Sequence, residues 1–456
     1  MSSVGLSRQI RAVLETPDAL QLTELLILTD NWVLDCSASA EPDVLLFQIE
    51  EELQSIHHNV VDHSSFHQTE VFLAVLYHLS PVLPSISVIS SWFDLVLRPA
   101  LREPKLPTVA VNHAKELIIS ALQKTDENYP EKVGEFRRRL LDLYLLDAFN
   151  AGSGNDVLEW AGLDEEQREK RTRWKSNLED ILLRFGTERP QVSDRHGYPE
   201  SQVDRNMSQD LMTEIYTNFA TPSSRLQLLM LLDLYISAPS FQSSARVLAT
   251  HPLLMSLLSS LLLDNSTTVC TMGLTLLVKL LPIFAVYACE DLKRMLPELL
   301  AILARIMCWK ERFPSSAYDS PDGAPHAEIE QELEIESNRV LYVRSDLDWQ
   351  QLELTFNATA SVPPSPRQYF TTMYYLFPCN VLRFLRGPVT HLTENKLNSP
   401  YTVNWENALD EDEIQSKSEV NETTWFLKLW TDHTLNLESP PRTHLPSVDY
   451  LARRCR

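Results

Sequence analysis

The sequence predicts an all-α fold, a HEAT- or armadillo-like helical-repeat solenoid with a disordered insertion and a disordered tail. Three observations carry that expectation. Apolar residues recur at three- and four-residue steps in one segment after another, with short breaks between, as amphipathic helices require. Glycine occurs only 10 times in 456 residues, roughly a third of the usual ~7%, and no alternating run argues for a sheet. Successive helix pairs come about every 40 residues, the spacing of HEAT and armadillo repeats, although no repeated sequence aligns within the chain.

The elements follow in order. Leu22, Leu25, Leu26 and Leu28 lead into Trp32 and Val33, and a helix over 44–56 follows Pro42, a residue suited to a first helical turn. Ser65-Phe66-His67-Gln68 reads as a capping box opening a helix through Val71, Leu73, Leu76 and Leu79. Periodic segments then cover 86–101, 109–122 and 129–149, punctuated by Pro84, Pro107 and Pro130. A second capping box, Asp164 to Gln167, opens a helix over 165–185 that stops at Gly186. Residues 189–205 are polar and rich in breakers, a linker. Helices resume at 207–219, 223–236, 241–249, 252–263, 267–281 and 289–310. The segment 268–282 is apolar nearly all round, so it belongs between neighbours rather than on a surface. Its apolar run of 17 residues, 272–288, is interrupted by Lys279 and Pro282 and falls short of the ~20 needed to span a bilayer.

Beyond it, 318–336 carries seven carboxylates and no Lys or Arg, so it reads as solvated and disordered. Residues 339–356 read as a helix or a short strand. The final core helix, 367–386, ends at Gly387-Pro388, a glycine able to adopt the left-handed cap before a proline that cannot extend the helix. The domain reading is therefore 1–188 helical repeats, 189–206 linker, 207–311 leucine-rich repeats, 312–366 acidic insertion, 367–388 core helix and 389–456 tail.

Few function classes survive. No G-x-G-x-x-G or G-x-x-x-x-G-K-[ST] exists, which removes the common nucleotide-binding loops. A net charge of −22 repels nucleic acid and leaves at most peripheral membrane contact. Cys36, Cys270, Cys289, Cys308, Cys379 and Cys455 form no C-x-x-C, and Cys270, Cys308 and Cys379 sit in apolar runs as small hydrophobes. The N-terminus has no signal-peptide h-region, and a reduced, cytoplasmic chain is the natural reading. The best metal candidate is His57, His63 and His67 with a distant carboxylate. His63 and His67 are four apart and can share a helix face, but Ser64, Ser65 and Phe66 between them supply no general base. Gly152-Ser153-Gly154 joins two helices and offers no nucleophile elbow. Arg137, Arg138 and Arg139 read as a solvated helix face. No cofactor is implied.

Two packing motifs remain. The first is Thr268, Val269, Thr271, Gly273, Leu276, Leu281 and Pro282; the second is Phe377, Pro378, Cys379, Asn380, Phe384, Leu385 and Arg386. Together they resemble the hamartin family, in the N-terminal region of a fungal-like member. The resemblance implies a helical scaffold without catalytic residues. It also implies a tuberin-like GTPase-activating partner, self-association, and a role in restraining TOR signalling through a Rheb-type GTPase, with contact at the vacuolar or lysosomal membrane. The family carries a long C-terminal coiled coil, whereas 390–456 shows no sustained heptads. The chain thus reads as the N-terminal region alone, a truncated form or an incomplete gene model. The rival readings are an armadillo-type adaptor in intracellular transport and the histidine-dependent hydrolase.

Overall fold

The computed structural model describes residues 3–15, 19–62, 64–123, 130–150, 164–187, 203–314, 340–347, 349–350 and 363–418. The chain forms two compact units, Met1–Pro199 and Glu200–Arg456. Both are helical-repeat structures in which each helix packs on its neighbour and on one two or three helices further along.

In the first unit α1 (Ser3–Glu15), α2 (Ala19–Ser37), α3 (Pro42–Asn59) and α4 (Phe66–Leu79) pack as interleaved pairs, α1 on α3 and α2 on α4. Ser65 caps α4 by accepting from the Gln68 amide, but the Gln68 side chain reaches past the cap to the amide of Asp62 and the carbonyl of Leu14. The expected reciprocal box is therefore half formed, because Gln68 is spent on tying α4 to α1. Next comes one rod, α5, built from Ser85–Ser87, Val88–Leu97 and Arg98–Arg102. Its middle ten residues are π-wound: the Arg98 amide bonds the carbonyl of Phe93, five residues back. Apolar periodicity alone does not reveal this widening. Pro99, which has no N–H to give Leu95, stands at its end.

Helices α6 (Thr108–Gln123), α7 (Pro130–Asn150) and α8 (Glu165–Thr187) follow among the described residues. Asp164 caps α8 through the Gln167 amide at 2.7 Å, and the helix runs one residue past Gly186. Asn177, buried in α8, donates to the Leu101 carbonyl at 2.7 Å, and Lys115–Asp180 (2.9 Å) and Arg184–Glu116 (2.5 Å) pair α8 with α6.

The second unit contains α9 (Val203–Phe219), α10 (Arg225–Ser237), α11 (Phe241–Thr250), α12 (Pro252–Leu263) and α13 (Thr267–Tyr287). Helix α9 starts four residues before the sequence reading placed it. Helix α13 runs 21 residues, through Pro282, and is long and apolar enough by length and composition to cross a membrane. That corrects the shorter sequence count. Ten of its residues are buried, and α10, α11 and α16 pack against it, the environment of a core helix.

Five further readings are corrected here. The helix expected over 289–310 is two, α14 (Cys289–Arg294) and α15 (Leu296–Met307), broken at Met295 before Pro297. The segment 367–388 is likewise two helices, α16 (Arg367–Leu376) and α17 (Pro378–Arg386), because Pro378 lacks the amide that would continue α16. Gly387 has φ −163, not a left-handed cap, and Pro388 opens a further helix, α18 (Pro388–Glu394). The expected tail is ordered to residue 418: α19 (Trp405–Ala408) and a helix over 411–418 follow, with Leu392, Tyr401, Trp405 and Ile414 buried. The acidic insertion has structured edges. Strands β1 (Glu311–Pro314) and β2 (Val340–Val343) pair in parallel, Glu311 opposite Val340, and Val343 bridges to Tyr401. Four residues per strand are too short to show a period. Residues 315–339, most of 189–206 and the Gly152–Gly154 connector lie outside the described residues.

Candidate functional site: a buried arginine–aspartate hub

The second unit closes around a polar cluster at the joint between α12 and α13. Asp264 ends α12 and is 1% exposed. Its carboxylate accepts from Arg225 Nη1 at 2.6 Å, from Ser260 Oγ at 2.6 Å and from the Trp349 indole at 3.0 Å. Arg225, at the start of α10, also donates to the carbonyls of Phe219, Ala220 and Gln350, and its guanidinium lies 4.2 Å from the Trp349 ring centroid. Arg305 of α15 donates to the carbonyls of Leu261 and Asp264 and stacks on Trp309. Arg312 of β1 donates to the Lys310 carbonyl and to Tyr401 Oη, and Tyr401 in turn donates to the Leu262 carbonyl at 3.1 Å. Asn265 exchanges both of its amide groups with the Arg312 backbone, at 2.6 and 2.9 Å.

Three buried guanidinium groups thus gather near one buried carboxylate, and of the three only Arg225 donates to it. Backbone carbonyls and aromatic faces make up the difference, since each guanidinium brings five donors and a flat stacking surface. Burial, and then the charge of Arg312, lower the Arg305 pKa to about 10, which leaves it charged at neutral pH. The Arg225 value is likewise lowered by burial, against the raising effect of Asp264. The hub joins α10, α12, α15, β1 and the segments around Trp349 and Tyr401. Its chemistry is that of a clasp: the donors face fixed carbonyls. Sequence reasoning missed it. A signal existed in Arg305, the single charge in the apolar run 299–307, which must find partners once buried.

The sequence-motif residues lie in the same unit, the first of them on α13 directly after the Asp264 joint. Ser266 caps α13 through the Val269 amide. Val269 and Leu276 are buried, Thr268 is exposed and Pro282 is half-buried. Gly273 lies where a Cβ would meet Leu261 Cδ2 at 2.9 Å, so α12 and α13 approach closely there. Of the second motif, Phe377, Phe384 and Leu385 are buried, Pro378 and Asn380 half-buried, and Cys379 and Arg386 exposed. The exposed thiol corrects the expectation of a buried one; Cys379 falls on the outer side of the first turn of α17. The two motifs meet through α16, which packs on α13 and on α17.

The described residues do not bring the metal candidates together. His57 is buried in the first unit, its ring 5.4 Å from Phe72 and 6.5 Å from Trp92, while His67 is exposed and His63 lies outside the described residues. Among the described residues no cluster of three His, Cys, Asp or Glu side chains could hold an ion. The expected solvated face also differs in part: Arg139 pairs with Asp94 at 2.8 Å over the Phe93 ring, and Arg137 lies over Phe185.

No protein-family model matches the chain, and no curated protein matches it in sequence. In structure it is similar to the solved TSC1 (hamartin) N-terminal domain, over 100% of this chain and 98% of that one, with a TM-score of 0.59 and 19% identity. The structure of the TSC1 N-terminal and linker domains is similar over 100% and 90%, with a TM-score of 0.54 and 18% identity. The likeness is one of fold, and it is the fold implied by the hamartin-like residues.

Proposed function

We propose that this chain, with the fold of the TSC1 N-terminal domain, is a non-catalytic scaffold of hamartin type. It supports a tuberin-like GTPase-activating subunit in a complex that restrains TOR signalling through a Rheb-type small GTPase. The observation that supports this reading is the end-to-end likeness of fold to the TSC1 N-terminal domain. Stacked helices bury a continuous core and leave long lateral faces for partners. GTPase activation needs a polar or arginine group poised at the transferred phosphoryl. Here Arg225, Arg305 and Arg312 are buried in a clasp and unable to reach one. The catalytic group belongs to the partner in this reading. Self-association, a cytoplasmic setting and peripheral contact with the vacuolar or lysosomal membrane are part of the same proposal.

Two measurements test it. The chain expressed in cells with an affinity tag should co-purify with a tuberin-like subunit, and its loss should raise TOR activity. The purified chain alone should leave GTP hydrolysis by a Rheb-type GTPase at its intrinsic rate. Stimulation by the chain alone would overturn the non-catalytic reading, and unchanged TOR activity on its loss would remove it from that pathway.

A further inference from the structure

The first unit carries a half-open cleft of about 380 Å³, at the lower end of the ~300–1,000 Å³ usual for small-molecule sites. Its walls come from α3, α4, the π-wound stretch of α5 and the turn that follows. Rings of His57, Phe66 and Phe72 and the side chain of Leu95 make most of the surface apolar. His57 and Phe72 are held in register by their own contact, 5.4 Å between centroids and 46° between planes. Single π-wound stretches occur frequently at functional sites, because the widened turn displaces side chains from the α-helical rows.

The polar groups in the wall set the class of ligand. Thr69 gives its hydroxyl proton to the Ser65 carbonyl at 3.1 Å, so it turns lone pairs elsewhere. Glu103, held by the Lys105 amide at 3.3 Å and by Lys170 at 3.6 Å, brings a carboxylate to the rim. Among the described residues no Lys or Arg lines the cleft, so an anionic head has no cationic partner there. We propose that this cleft binds a small neutral aromatic molecule with one N–H donor on its edge, of the indole class. The ring lies among His57, Phe66 and Phe72, where edge-to-face contacts favour aromatic over aliphatic guests, and the N–H reaches Thr69 or Glu103. The inference is independent of the scaffold reading and stands or falls without any partner protein.

The test is calorimetric titration of the full chain with indole and with 1-methylindole, which has nearly the same shape and no donor. Indole should bind, and 1-methylindole about tenfold more weakly, the cost of one unmade hydrogen bond. Ala100→Leu places a larger side chain in the wall and should abolish binding of both probes. Should that variant fail to fold, Thr69→Val keeps the volume and should narrow the gap between the probes. The proposal is overturned by no binding of indole to the native chain, by equal binding of the two probes, or by a folded Ala100→Leu protein that binds as before.

Discussion

Asp264 and His251 show how single side chains set the conditions under which the second unit holds. Asp264 is the only carboxylate within hydrogen-bonding reach of Arg225 among the described residues, and both are 1% exposed. Asp264→Ala leaves a buried guanidinium without its counter-ion and frees Ser260 and Trp349. The expected loss is about 3–5 kcal/mol in denaturant unfolding. A loss under about 1 kcal/mol would mean that water reaches the site. His251 caps α12: its Nδ1 accepts from the Leu253 amide at 3.2 Å, which requires the unprotonated nitrogen. Burial lowers its pKa below the ordinary value of 6.5. As pH falls through that value the unfolded chain takes up the proton first. The stability contributed by the cap is therefore complete above it and drains away toward the lowered native pKa. His251→Asn keeps a capping oxygen that does not titrate, so stability measured between about pH 7 and pH 5 should fall less steeply. An unchanged slope would assign the acid limb elsewhere, for instance to His113 and His391, which burial shifts in the same direction.

At the scale of elements, Gly273 marks a place where α12 and α13 approach closely. A methyl group at Gly273 needs only a small turn of the flexible end of Leu261, whereas a branched side chain has to part the two helices. Gly273→Ala should change stability little, offset in part by better helix propensity. Gly273→Leu should cost about 1–3 kcal/mol or more through overpacking. Equal melting temperatures for the two variants would mean that the helices separate freely. Existence of the long helices was legible in sequence because three- and four-residue apolar steps report burial directly. Their breaks were less so. Pro378 and Pro297 each begin a new helix rather than decorate an old one, and the π-winding of α5 leaves the apolar count unchanged. The clasp was illegible for a different reason. Its members lie up to 176 residues apart, at Arg225 and Tyr401, and only the stacking of helices brings them together.

For the whole molecule, the repeat architecture followed from composition and period, and the hamartin-like motifs pointed to the fold that is found. What composition misjudged was the acidic C-terminal part of the second unit. A few anchors suffice to order it: Tyr401 on the hub, Trp405 donating to the Leu397 carbonyl at 2.7 Å, and Lys417 donating to the Met307 carbonyl at 2.7 Å. Sparse anchors in a charged background resemble disorder to any average over residues. The parallel pairing of β1 with β2 has a consequence for how such a protein can vary. A chain leaving Pro314 must run back the length of a strand before it can enter Val340, so the joint needs a crossover of about a dozen residues. Above that floor, each doubling in length adds only about 0.6 kcal/mol of closure entropy. The strand pair is therefore a splice port, where relatives can drift in length and an engineer can graft a foreign domain while the clasp beneath stays shut.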